Sequence, residues 1–318
     1  MVTGTDALTR LRQLRWFRAR GVTWVEHVRA LREIEQGLRS PAVARNPPPA
    51  FTVVVPVYSR PWNAALSVAL GLATPGVARV VVCLNDPGFR TADLMLPDDP
   101  RLVVLRTPTR RGPVERYRAV AEFDGDYFFS PDDDVFLPPL RVAELMCALA
   151  REPASPHGFY GQHYSAAERR FSQGVVRRSG QVHVLNRAYA FTRKHLDRYL
   201  ALLQQLEVDR DGIALDDDIV LSFCGDALPQ VHDLGPYVDC PSEASRPLAR
   251  WARSDADSVR GRLIERLSHD VGMPPSAKPL APQPSFAWHP RGALAAALFH
   301  ATPAGWLLRA GQRALGRR

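Results

Sequence analysis

Apolar positions recur at helical spacing through residues 5–39: Leu8, Leu11, Leu14, Trp16 and Phe17, then Val25, Val28, Leu31, Ile34 and Leu38. That period predicts one or two helices, ended by the consecutive prolines of "NPPPA" at 46–50, which cannot continue a helix. The pattern then changes. "FTVVVPVYSR", "ARVVVCLNDP", "RLVVLRTP" and "DYFFS" are short runs of β-branched and aromatic residues, each long enough for a buried strand. Between them, 61–72 and 112–123 read as helices, the first with Pro61 in its opening turn. Continuously apolar strands alternating with helices predict an α/β fold, a Rossmann-like, mostly parallel sheet with helices on both faces.

The second half is more mixed. "HGFYGQHY" and "HVLNRAYAF" read as strands, 196–206 as a helix, and "LDDDIVLSFC" as the start of another. After Pro241 the chain turns polar and proline-rich, and is expected to be loop or linker through about 285. Residues 292–315 return to apolar character with Arg309 and Arg313 interleaved, which suggests an amphipathic helical tail. The expected organisation is an N-terminal helical extension over 1–50, a catalytic domain over 51–245, and a linker and tail over 246–318.

Charge alters this picture only at the ends. Of the net +8, residues 1–50 and 286–318 each carry +5, which leaves −2 for the middle. A nucleic-acid-binding face would place its basic residues on the folded core, so no nucleic-acid partner is expected. The Arg-rich ends suit instead a peripheral contact with an anionic membrane surface. No run is long and apolar enough to span a membrane. Cys83, Cys147, Cys224 and Cys240 show no metal-type spacing and suit a reducing, cytoplasmic setting, with a Cys224–Cys240 bridge left open.

The candidate chemistry lies in the acids. Asp132, Asp133 and Asp134 follow an aromatic strand directly. One acid would serve as a helix-start residue, but three in a row repel one another and call for a positive partner. Hard oxygen ligands suit Mn²⁺ or Mg²⁺, and such a cation can clamp a diphosphate. In a parallel sheet, ligands gather beyond the carboxyl ends of the strands, and Asp86 lies at such an end too. A second triplet, Asp216, Asp217 and Asp218, opens the "LDDDIVLSFC" helix; "DRDG" at 209–212 lacks the spacing of a calcium loop.

In order along the chain come "CLND", "VERYRAV", "DDDV", "HGFYGQHY", "VLNRAYAFTRKHL" and "LDDDIVLSF". This ordered set resembles the GT-A glycosyltransferase domain of the exostosin type (glycosyltransferase family 64) over roughly residues 51–240. The resemblance implies a GT-A fold, a nucleotide-sugar donor (a UDP-sugar carrying an N-acetylhexosamine or hexose), a glycan or lipid-linked acceptor, and a retaining outcome. It implies nucleotide-sugar contacts from Asn85, Arg116, Arg118, Asp132 and Asp133, with Asp134 and Asp132 on the metal. Asp218, with Asp217 beside it, would face the donor–acceptor junction. Pro56, Arg60 and Asp86 are further candidates on the donor side, and His232 is a candidate metal ligand. The chain departs from that pattern at Pro113, where the family has Asn, and at Ala214 and Leu215, where it has a Cys. Two rivals remain: a non-catalytic nucleotide-sugar-binding module on the same scaffold, and a sugar nucleotidyltransferase. The latter is disfavoured because "VYSRPWN" has neither the Gly nor the Lys that a triphosphate loop requires.

Overall fold

The computed structural model describes residues 5–274, apart from 17, 19–21, 41–43, 45, 59, 173–174, 177, 207–215 and 241–255. Four parallel strands form the heart of the main sheet: β1 (Phe51–Val57), β2 (Val77–Leu84), β3 (Leu102–Arg106) and β4 (Tyr127–Pro131). The eight-stranded sheet runs Gly180–Gln181, Gln230–Val231, His157–Gly158, Ala188–Thr192, β4, β1, β2, β3. Ala188–Thr192 is antiparallel to both its neighbours, so the sheet is mixed but mostly parallel.

The strands are apolar throughout because both faces are covered. On one face Val53, Val55, Val80 and Phe129 pack with Val68 of helix α3 (Ala64–Ala73) and Leu145 of α5 (Pro139–Arg151). On the other, Val54, Val81 and Phe128 meet Tyr117 of α4 (Glu115–Ala121), Tyr199 of α6 (Arg193–Gln205) and Val220 of α7 (Asp217–Ser222). Helices α1 (Thr5–Leu14) and α2 (Trp24–Arg39) share a third cluster with Leu66 and Leu70 of α3 and with Phe136 and Val238. The N-terminal extension is thus packed on the sheet domain.

Three expectations change. The run "HGFYGQHY" is not one strand but three short ones, His157–Gly158, Tyr160–Gln162 and Tyr164–Ser165, each in a different sheet. The stretch read as linker contains helix α8 (Ala256–Asp270), whose Leu263, Ile264 and Leu267 are buried against α6 and α7. Its spacing of apolar positions is helical, but diluted by nine polar residues. The run "HVLNRAYAF" is not one strand. It breaks at Arg187, which adopts a left-handed φ of +71°, a conformation costly for a residue with a Cβ. The proposed tail at 292–315 lies outside the described residues. All four cysteines are free thiols, so Cys224 and Cys240 are not bridged. Among the described residues, no helix is long and apolar enough to cross a membrane.

Buried histidines give the fold a pH sensitivity. His195 closes the capping box of α6: its N–H donates to Thr192 Oγ1 at 3.3 Å, and its Nδ1 accepts from the Thr192 N–H at 3.2 Å. Burial pushes its pKa down to about 4. The unfolded chain therefore takes up this proton first, and stability is lost as pH falls through 6.5 toward 4. Gln can occupy the same capping position and does not titrate. His195→Gln is expected to stay within about 1 kcal/mol of the parent at pH 7.5. It should then gain on the parent by up to roughly 1.4 kcal/mol per pH unit below 6.5. Urea melts at pH 7.5 and 5 check this, and a difference independent of pH would refute it.

Candidate functional site

The chain runs β1 to β2 to β3 on one side, then returns to place β4 on the other side of β1. The strand order therefore reverses between β1 and β4, where α/β sheets open a crevice. Here the opening has a visible cause. The β1–β2 ladder continues to Val57 and Leu84, whereas β1 and β4 pair only at Thr52–Phe128 and Val53–Phe129. Ser130 Oγ donates to the Val54 carbonyl at 3.1 Å instead. Pro56 has no N–H to donate and sits in the stretch of β1 where the β4 ladder has already ended. It shapes the gap with its backbone.

Arg60, just past β1, spans this gap. Its Nη1 donates to Asp133 Oδ1, and its Nη2 lies 3.3 Å from Asp134 Oδ2. The Asp133 carbonyl accepts from Asn63 Nδ2 at 2.7 Å, and Asn63 in turn accepts from Arg10 of α1 at 2.9 Å. The Asp134 carbonyl accepts from the Cys240 N–H at 2.8 Å. The first triplet is thus anchored by its backbone, with α1 supporting it from behind.

Asp132 pairs instead with an arginine of α4. Arg116, on α4, donates to Asp132 Oδ1 at 3.0 Å and lies 3.1 Å from Asp217 Oδ2, above the Tyr189 ring. The Arg116 Nε–H is aimed at the Pro113 carbonyl, so Asp217 Oδ2 accepts no hydrogen bond from the described residues despite its burial. Burial pushes the Asp217 pKa upward, Arg116 opposes this, and Asp218, Asp132 and Asp216 reinforce it. Burial also raises Asp132, to about 6, against the pull of Arg116 and with help from Asp134 and Asp133. Solvent limits that rise, because 31% of the Asp132 side chain faces the cleft.

Asp218 is held differently. Oδ2 accepts from Asn186 Nδ2 at 2.6 Å and Arg260 Nη2 at 2.7 Å; Oδ1 accepts from Arg260 Nη1 at 3.1 Å and its neighbour's N–H, that of Ile219, at 2.9 Å. Arg260 Nη1 also donates to Asp216 at 3.1 Å. Arg187, whose carbonyl accepts from the Asp132 N–H, donates to Asp239 at 2.6 Å between the rings of Tyr160 and Tyr237. Seven carboxylates (132, 133, 134, 216, 217, 218 and 239) thus meet four guanidiniums (60, 116, 187 and 260), a formal excess of three negative charges.

Other predicted residues lie elsewhere. Asn85 is buried and committed: it donates to the Gly112 carbonyl and accepts from Thr107 and from the Arg111 N–H, pinning the turn where Gly112 has φ +80°. Asp86 sits on the rim, accepting from the Gly88 N–H, with Arg110 3.8 Å away stacked on Tyr58. Arg118 is 44% exposed and pairs with Glu115 on its own helix. His232 does not join the carboxylates: its Nε2 is 3.1 Å from His157 Nδ1, and burial pushes its pKa down to about 4. Among the described residues, no three His, Cys, Asp or Glu side chains are arranged as a metal cage. Any cation here would meet only the exposed edges of Asp132 and Asp134 and would need most of its ligands from a bound molecule, a position for which the formal charge excess is of the right sign. Sequence reasoning missed Asn186 and Arg187, hidden in a supposed strand, and Arg260, hidden in a supposed linker.

No protein-family model and no curated protein matches the chain. Among solved structures, the chain is similar to GalNAc-T7 crystallised with UDP, GalNAc and Mn²⁺, at 9% identity and a TM-score of 0.45, over 60% of this chain and 43% of that one. It is also similar to S. aureus TarS 1-349, at 14% identity and a TM-score of 0.40, over 70% of this chain and 72% of that one. The chain thus spans less than half of the GalNAc-T7 chain.

Proposed function

We propose that the protein is a GT-A glycosyltransferase that uses a divalent cation to move a sugar from a nucleotide-diphosphate donor to a glycan or lipid-linked acceptor. The observation that carries this reading is the net-negative, guanidinium-laced carboxylate cluster at the point where the strand order reverses. Asp134 and Asp132 are the residues that would hold Mn²⁺ or Mg²⁺, and such a cation supplies charge neutralisation on a departing diphosphate. Arg60 and Arg116 stand beside those acids and orient the same end of the donor.

The second triplet divides the remaining work. Asp218, bonded to Arg260, Asn186 and the Ile219 N–H, is held rigidly in place, which suits a carboxylate that stabilises positive charge at the reacting sugar carbon. Asp217, with its raised pKa, holds a proton more readily than an ordinary carboxylate. UDP as the nucleotide, a hexose or N-acetylhexosamine as the sugar, the retaining outcome and the exostosin-type assignment rest on the motif order. The free thiols suit a reducing compartment, and the Arg-rich ends suit an acceptor at a membrane surface.

Purified protein incubated with a panel of nucleotide sugars, with and without Mn²⁺, is expected to release nucleoside diphosphate from one donor only when the metal is present. EDTA should abolish the release and added Mn²⁺ restore it. Chelator-insensitive release would remove the cation from the mechanism. Donor binding without any turnover would instead favour the non-catalytic module.

A further inference from the structure

The four guanidiniums of the cluster are not held alike. Arg116 is buried, bonded to Asp132, the Pro113 carbonyl and Ser130, and lies over Tyr189. Arg187 is fixed by Asp239, the Tyr237 hydroxyl and two aromatic rings. Arg260 is bonded to both Asp216 and Asp218 above Phe171. Among the described residues, the partners of Arg60 are the carboxylates of Asp133 and Asp134. Its side chain is 11% exposed and sits across the mouth of the gap between β1 and β4. It is the guanidinium that can leave without disturbing an aromatic platform or the second triplet.

From this we infer that Arg60 is an exchangeable counter-ion: it neutralises Asp133 and Asp134 in the metal-free protein, gives them up when a divalent cation binds, and turns its freed guanidinium to the diphosphate. The inference deepens the proposed function and rests on its cation. The physical reason is direct. A divalent ion on the Asp134 carboxylate would lie within about 5 Å of a guanidinium on the same group, and their repulsion in a partly buried site exceeds a tenfold effect on affinity. Arg60 therefore competes with the metal, and the acids remain neutralised in either state. The released guanidinium provides a planar, two-pronged donor for phosphate oxygens. The metal and the diphosphate are then coupled through one side chain, each binding better when the other is present.

Two measurements test it. Calorimetric titration with Mn²⁺ alone should show Arg60→Gln binding at least about tenfold tighter than the parent. With Mn²⁺ saturating, Arg60→Gln should bind inorganic pyrophosphate at least about tenfold more weakly. A merely structural arginine predicts the opposite for the metal, since its loss would loosen the site. Equal or weaker Mn²⁺ binding by the variant therefore overturns the inference while leaving the cation in place. Failure of both proteins to bind Mn²⁺ overturns the proposed function and this inference together. Should the variant fold poorly, the parent protein decides alone. Phenylglyoxal should modify Arg60 slowly without metal, faster with Mn²⁺, and slowly again when pyrophosphate is added, as followed by peptide mass mapping. Modification indifferent to Mn²⁺ refutes the exchange.

Discussion

Arg116→Met is expected to destabilise the protein by about 3–5 kcal/mol, the usual cost of stranding buried charge. Arg116 is 5% exposed and stands between Asp132 and Asp217. Methionine approximates its volume and removes its charge, so the buried Asp217 would be left facing the partly exposed Asp132 with no cation between them. Both would respond by holding protons more tightly, and part of the loss would reappear as a more favourable stability at low pH. Arg116→Met/Asp217→Asn should recover part of the deficit, because it removes one of the stranded charges. Chemical denaturation of the three proteins at pH 7.5 measures this. A cost under about 1 kcal/mol for the single variant would mean that water, and not Arg116, solvates the cluster.

Asp134→Asn is expected to lower metal-dependent nucleotide release by roughly 10²–10³-fold, the range seen when a group that stabilises transition-state charge is removed. Its fold should survive. Among the described residues the Asp134 side chain pairs with Arg60, at 3.3 Å, and its backbone carbonyl keeps its bond to the Cys240 N–H. Asparagine preserves the shape but not the charge. Mn²⁺ affinity should fall in parallel with activity, while the denaturation midpoint stays near that of the parent. Undiminished release by a well-folded Asp134→Asn protein would move the cation, or the chemistry, elsewhere.

The two variants separate functions that adjacent acids share. Asp132 pairs with Arg116, which also reaches Asp217 of the second triplet, while Asp133 and Asp134 pair with Arg60. A triplet that reads as one motif is thus divided between two sets of counter-ions. The backbone achieves the division: Asp132 N–H donates to the carbonyl of Arg187, and Asp133 and Asp134 are tied to Asn63 and Cys240.

The positive partner that three adjacent acids demand could be argued from charge repulsion alone, and so could its placement at the tip of an apolar strand. The four parallel strands were equally plain, because a strand buried on both faces must be apolar at every position. These features are local: a run of five to eight residues carries each of them. Which cations answer the acids was not local. Arg60, Arg116, Arg187 and Arg260 lie 73, 16, 52 and 42 positions from carboxylates they contact, and nothing in a neighbouring residue marks them among thirty-nine arginines. Arg118 looked as good as Arg116 until the helix turned one inward and the other toward Glu115. His232, a candidate ligand by sequence, lies just after a strand that sets it against His157. Helical phase and strand register select which side chains face a site, and those are settled only when the layers pack. Helix α8 makes the same point, since its few apolar residues acquire meaning only from the groove beside α6 and α7 that buries them.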